Sequence, residues 1–170
     1  MKRTVSILLF VGILAGILTG CGLQVPRPEI KTGEFDFSVT YEWNGETKTV
    51  SGVYVCEYNG TDWALDGGYH RDWKGYVKDD KMETQIEIGT TEDGGVILLS
   101  FGFYPEYFMD DPATGGREVP EPWLTVSHSF ADGDGVEILN DAEIIEETYG
   151  VKIISYQYSD PIENTFGLFK

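Results

Sequence analysis

The chain is poor in the side chains from which covalent and metal chemistry is built. Its 170 residues include two cysteines, Cys21 and Cys56, and two histidines, His70 and His128. A zinc site on so few nitrogen and sulfur ligands would have to recruit distant carboxylates. No G-x-S-x-G nucleophile elbow and no H-E-x-x-H helix occurs. Basic residues are also scarce, with 12 Lys+Arg against 29 Asp+Glu and a formal net charge of −17. Nonspecific nucleic-acid binding draws its affinity from neutralised phosphates, so this balance excludes it. The uncharged apolar run at residues 5–18 has 14 residues, whereas a membrane-spanning helix needs roughly 20. There is no internal repeat.

What is present starts with that short run. Lys2 and Arg3 precede it, and Leu18-Thr19-Gly20-Cys21 closes it with small residues before the cysteine. The arrangement resembles the signal peptide of a bacterial lipoprotein precursor, with the tetrapeptide as its lipobox. The resemblance implies a lipoprotein whose Cys21 carries a palmitate-type diacylglyceryl thioether and starts the mature chain. It implies a membrane anchor on the outer face of a Gram-positive cell. Each buried methylene contributes about 0.8 kcal/mol, and two acyl chains hold stably where one does not.

Cleavage before Cys21 leaves 150 residues, enough for one domain. It removes two basic residues and no acid, moving the net charge from −17 to −19. Such a surface is repelled by anionic headgroups and wall polymers, which predicts a domain held off the membrane. Residues 22–32, with Pro26 and Pro28, read as a tether; eleven extended residues would reach about 35–40 Å. The expected organisation is a signal peptide at 1–20, a lipidated cysteine and tether at 21–32, and one β-rich domain at 33–170.

Within that domain Phe35, Phe37, Val39, Tyr41 and Trp43 alternate with polar residues, the mark of a strand with one buried face. Asn44-Gly45 predicts a type I′ hairpin. The return strand is expected over 47–58, with a bulge at Gly52 and a second turn at Asn59-Gly60. Further strands are expected at 82–88, 96–103, 123–130, 136–139 and 152–158, with a turn at 92–95 and one helical turn at 105–109. Residues 110–122 read as a loop. Residues 140–150 predict a helix capped by Asn140 or Asp141, with Ile144, Ile145 and Tyr149 as its apolar stripe and Gly150 at C′. About seven strands and one short helix near the C-terminus, not alternating, predict a mainly β fold: an antiparallel meander closing as a barrel or sandwich.

The motifs that carry chemistry elsewhere have plainer explanations here. His70-Arg71-Asp72 copies a kinase catalytic-loop tripeptide, but Val77 stands where the metal-binding Asn belongs, and no phosphate loop exists. Ser127-His128-Ser129 lies in a strand, where neighbours point to opposite faces; His128 shares parity with Leu124, Val126 and Phe130 and is expected in the core. Asp132 and Asp134, in Asp-Gly-Asp-Gly, hint at calcium, but Val136 and Glu137 break the EF-hand pattern, and a hairpin turn explains them equally. Asp79-Asp80 and Asp110-Asp111 are weaker still. No cofactor is therefore expected, with calcium the one open alternative. Cys56, in an apolar strand, reads as a buried structural thiol.

Aromatics are the more suggestive class. Trp63, Tyr69, Trp73, Tyr76 and Trp123 lie in or beside loops, where exposed rings can stack on sugars or anchor protein partners. Filling the core of a small β fold is the competing explanation.

The segments Phe35-x-Phe37-x-Val39-x-Tyr41, Asn44-Gly45-Glu46, Tyr54-Val55-Cys56, Trp73-Lys74-Gly75-Tyr76, Ile153-Ile154-Ser155 and Pro161-Ile162-Glu163-Asn164 resemble a group of small lipoproteins of Gram-positive bacteria. That group brings no assigned activity and no site residues. The expectation is a noncatalytic, lipid-anchored extracytoplasmic domain. It would bind an unknown protein or carbohydrate, or serve the envelope. The alternatives are a carbohydrate-binding module using the loop aromatics and a carboxylate-dependent hydrolase, which needs two acids in one cleft.

Overall fold

Two four-stranded antiparallel sheets face each other across one aromatic-rich core. The structure is a computed structural model and describes residues 25–63, 68–78, 84–112, 119–129 and 136–167. Cys21, Asp79-Asp80, Asp132 and Asp134 lie outside the described residues.

The chain forms β1 (Arg27–Pro28), β2 (Thr32–Trp43), β3 (Glu46–Trp63), β4 (Tyr69–Val77), β5 (Gln85–Thr90) and β6 (Val96–Ser100). The short helix α1 (Pro105–Phe108) follows, then β7 (Trp123–Ser129), β8 (Val136–Leu139), helix α2 (Ala142–Tyr149), β9 (Val151–Tyr158) and β10 (Phe166–Gly167). One sheet has the order β4-β3-β2-β9 and the other β5-β6-β7-β8, while β1 pairs with β10. The fold is thus mainly β, as the alternating pattern predicts.

The core follows from the parity of β2. Phe35, Phe37, Val39 and Tyr41 are buried, and they meet Ile97 and Leu99 of β6 and Leu124 and Val126 of β7. Phe37 packs on Phe101 and Phe103, with ring centroids 4.8 and 5.0 Å apart. Phe35 packs on Phe108 at 4.8 Å. Asn44 and Gly45 both take positive φ, 53° and 75°, as a type I′ turn requires. Helix α2 joins the two sheets and buries Ile145. Asp141 Oδ1 caps it by accepting from the Glu143 and Ile144 amides, and Gly150 ends it in the left-handed conformation. Ile144, expected in the apolar stripe, is exposed.

Three expectations change. Asn59-Gly60 is not a turn: β3 runs through it to Trp63, and the register with β4 shifts between Tyr58 and Gly60, where Gly60 has φ 112°. An extra residue absorbed as a bulge lets the hairpin continue for another four pairs, to Trp63↔Tyr69. Gly52 is not a bulge but stays in register opposite Phe37, leaving room for that ring. The segment read as a tether is partly bound into the fold. Arg27–Pro28 pairs with Phe166–Gly167, Glu29 N–H donates to the Thr165 carbonyl, and Asn164 bonds both backbone groups of Ile30. Period-two patterning cannot reveal a two-residue strand.

The molecule has two distinct ends. Strand β2 starts where the chain enters the fold, at the lower end, and finishes at Trp43, at the upper end. Trp43 lies over Gly89 of β5, while Phe37 lies over Phe101 just beyond β6. The strands of the two sheets are therefore roughly aligned, as in a sandwich.

Candidate functional site

At the upper end, three connections converge: the β2–β3 turn, the β5–β6 turn and the α2–β9 junction. They enclose an open cleft of about 510 Å³ lined by Trp43, Asn44, Thr90–Asp93, Thr148 and Tyr149. Trp43 and Tyr149 supply aromatic wall, and Glu92 and Asp93 supply negative charge.

Asp93 is held by its own turn. The Thr91 hydroxyl donates to Asp93 Oδ1 and accepts from the Gly95 amide at 2.7 Å, and the Thr91 amide bonds the Gly95 carbonyl at 2.7 Å. His128 Nε2 lies 3.2 Å from Asp93 Oδ1. The Thr91 hydrogen bond, followed by His128, lowers the Asp93 pKa from 3.8 to about 2. Asp93 is thus an anion throughout the physiological range. Burial, followed by the Asp93 charge, pushes the Tyr149 hydroxyl up, so it stays a neutral donor. His128 is not the core histidine its parity predicts. It is half-buried against Gly95, where a Cβ would strike its ring, and it backs the cleft through Asp93.

The lower end is organised around His70-Arg71-Asp72. Arg71 is buried and pairs bidentately with the buried Asp111: Nε donates to Oδ2 at 2.6 Å, and Nη2 donates to Oδ1. Trp73 Nε1 donates to the same Oδ2 at 2.8 Å. Arg71 Nη1 reaches the Pro26 carbonyl at 2.9 Å, and its guanidinium lies 4.4 Å from the centre of the Phe166 ring. One arginine therefore clasps the N-terminal segment, the loop after α1 and the C-terminal segment. Fork geometry suits this carboxylate pairing, and satisfying it makes burial of the charges tolerable. Arg71 is structural, and Asp111 with it.

The five aromatics picked from sequence do not form one surface. Trp73 is 7% exposed and belongs to the core, edge-on to Tyr58. Tyr76 is half-buried on β4 and donates to Glu57 at 3.0 Å. Trp63 and Tyr69 are exposed and directly opposed across β3 and β4. Trp123 is exposed at the start of β7, where it lines a second open cleft of about 540 Å³ with Tyr104, Val119 and Pro122. Trp43 and Tyr149, which do converge, gave no signal in sequence beyond ordinary core periodicity. Their meeting depends on α2 bringing its C-terminus beside two turns.

Cys56 is fully buried, and burial raises its thiol pKa, so it is a poor nucleophile. Among the described residues, no group of three or more His, Cys, Asp or Glu side chains is placed to hold a metal ion, and no helix is long and apolar enough to cross a membrane. Comparison with family models, with curated proteins and with solved structures finds no match to this chain.

Proposed function

We propose that the chain is a noncatalytic, lipid-anchored extracytoplasmic binding domain whose ligand site is the upper cleft. The observation that carries this reading is an Asp93 ionised at neutral pH in a cleft walled by Trp43 and Tyr149. A fixed anion between aromatic walls favours a small ligand that offers O–H or N–H donors and an apolar or cationic face. The cleft lies at the end of β2 opposite the point where the chain enters. An anchor at Cys21 would therefore turn it away from the membrane.

Hydrolysis by a carboxylate pair fits less well. Two acids line the cleft, Glu92 and Asp93, but they are chain neighbours in one turn, and Asp93, with its pKa lowered, is the opposite of the general acid such a pair needs. A saccharide reading draws support from the Trp43–Tyr149 pairing rather than from the loop aromatics.

Tryptophan fluorescence of the purified protein, titrated separately with soluble oligosaccharides and with small amines, tests the site. Binding of either class should change the emission, and both Trp43→Phe and Asp93→Asn should weaken it at least tenfold. Binding untouched by both substitutions would refute the assignment, as would turnover of ester, glycoside or phosphate substrates. The anchor has its own test: Cys21→Ala should abolish incorporation of labelled fatty acid, and undiminished labelling would sink it.

A further inference from the structure

The exposed pair Trp63 and Tyr69 stands beside the point where the chain enters the fold. Tyr69 lies two residues from Arg71 on β4, about 6–7 Å along the strand. Arg71 holds the Pro26 carbonyl at 2.9 Å. Trp63 is Tyr69's direct cross-strand partner, so the two rings share a face. They are 54% and 56% exposed. That face is the one on which Arg71 and Trp73 are buried higher up β4, continued past the end of the core. Exposing two large aromatics there forgoes their burial, and among the described residues no packing below Arg71 requires rings.

From the geometry of this lower end we infer that the Trp63–Tyr69 pair seats in the headgroup region of the membrane that holds the anchor. This rests on the lipid-anchor reading. Because residues 27–32 are bound into the fold and the Pro26 carbonyl is held by Arg71, the five residues from Cys21 to Pro26 can reach at most about 18 Å. A lipidated Cys21 lies at the membrane surface, so the lower end cannot stand far above it. Trp and Tyr are the side chains that favour this layer, with rings toward the acyl chains and N–H or O–H toward water. A soluble carbohydrate or protein partner would not need the pair to sit next to the anchor, whereas a bilayer does. The acidic charge, which on its own would hold the domain off an anionic surface, restricts the seating to zwitterionic lipid, and the docked residues 27–32 remove the tether that would have held it away. Seating would fix the tilt of the domain and hold the upper cleft outward.

The test uses protein produced from the full chain, extracted from membranes and reconstituted into phosphatidylcholine vesicles whose acyl chains are brominated near the headgroup. Flotation with the vesicles reads the anchor; bromine quenching of tryptophan reads the seating. Wild type should float and be quenched. Trp63→Phe should lose that quenching, because Trp43 is at the far end, Trp73 is in the core and Trp123 lies on the other sheet, while Trp43→Phe and Trp123→Phe should both keep it. Flotation without quenching overturns the seating and leaves the anchor intact. Quenching that survives Trp63→Phe also overturns it, since another face would then meet the lipid. Loss of flotation would count against the anchor itself and remove the seating with it.

Discussion

At the lower end Asp111 is fully buried beneath Arg71, while at the upper end Asp93 stands exposed beside His128. Both are carboxylates next to a basic side chain, and water reaches only the second. In the lower pair every acceptor is used: Asp111 takes two donors from Arg71 and one from Trp73, and Arg71 spends its remaining reach on Pro26. Breaking it strands a charge in a medium that cannot solvate it. In the upper pair Asp93 is oriented by Thr91 but still open to solvent, which is the condition for meeting a ligand. Burial turns one pair into a clasp, and exposure leaves the other available.

The largest effect that can break this contrast is at the clasp. Asp111→Ala should lower stability by about 3–5 kcal/mol, measured by urea unfolding at neutral pH. A loss no larger than that of an exposed pair would mean that the clasp is not buried in solution. Next is Gly89→Val, whose side chain would collide with Trp43. Overpacking there should cost about 1–3 kcal/mol and displace one wall of the cleft, so ligand response and stability should fall together. An unchanged midpoint would show that Trp43 does not lie over β5. Asp141→Ala removes the cap of α2 and should cost about 1 kcal/mol, loosening the junction that presents Tyr149.

The smallest effect sharpens the comparison by pH. The Asp93 pKa is depressed on folding, from 3.8 to about 2. Its contribution is therefore present in full above about pH 4, falls as pH drops through the interval to about 2, and is gone below it. The Asp93→Asn variant should show a shallower loss of stability across that window and a small loss at neutral pH, where the contribution it removes is present in full but screened, as in exposed pairs generally. Thermal midpoints followed from pH 5 to pH 2 in both proteins measure the difference. Parallel curves would mean that Asp93 gains nothing on folding.

The contrast also explains what could be read in advance. The alternation from Phe35 to Trp43 located β2, and Asn44-Gly45 located its turn, because both are local consequences of backbone geometry. The α2 caps were legible for the same reason. Asn59-Gly60 misled because the same dipeptide serves a turn or a bulge, and the pairing of β4 with β3 decides between them. In sequence the kinase-like tripeptide at Arg71 reads as coincidence, but the role Arg71 does play is not legible there, because its partner is 40 positions away. His128 was assigned to the core by parity, yet a half-buried site beside Gly95 satisfies the same parity. Of the five aromatics, only their type was visible; their exposure depended on which segments covered them.

The sequence by itself determined the β class, the hairpin at Asn44-Gly45, the capped helix, the buried Cys56 and the acidic charge. Each of these follows from neighbours in the chain or from composition. Tertiary structure alone decided that residues 27–32 dock against the C-terminal segment and that Arg71 meets Asp111. It also decided that Trp43, Asp93 and Tyr149 share a cleft. Those contacts join residues 40 or more positions apart, in segments that carry no mark of one another, and form only when packing brings the segments together.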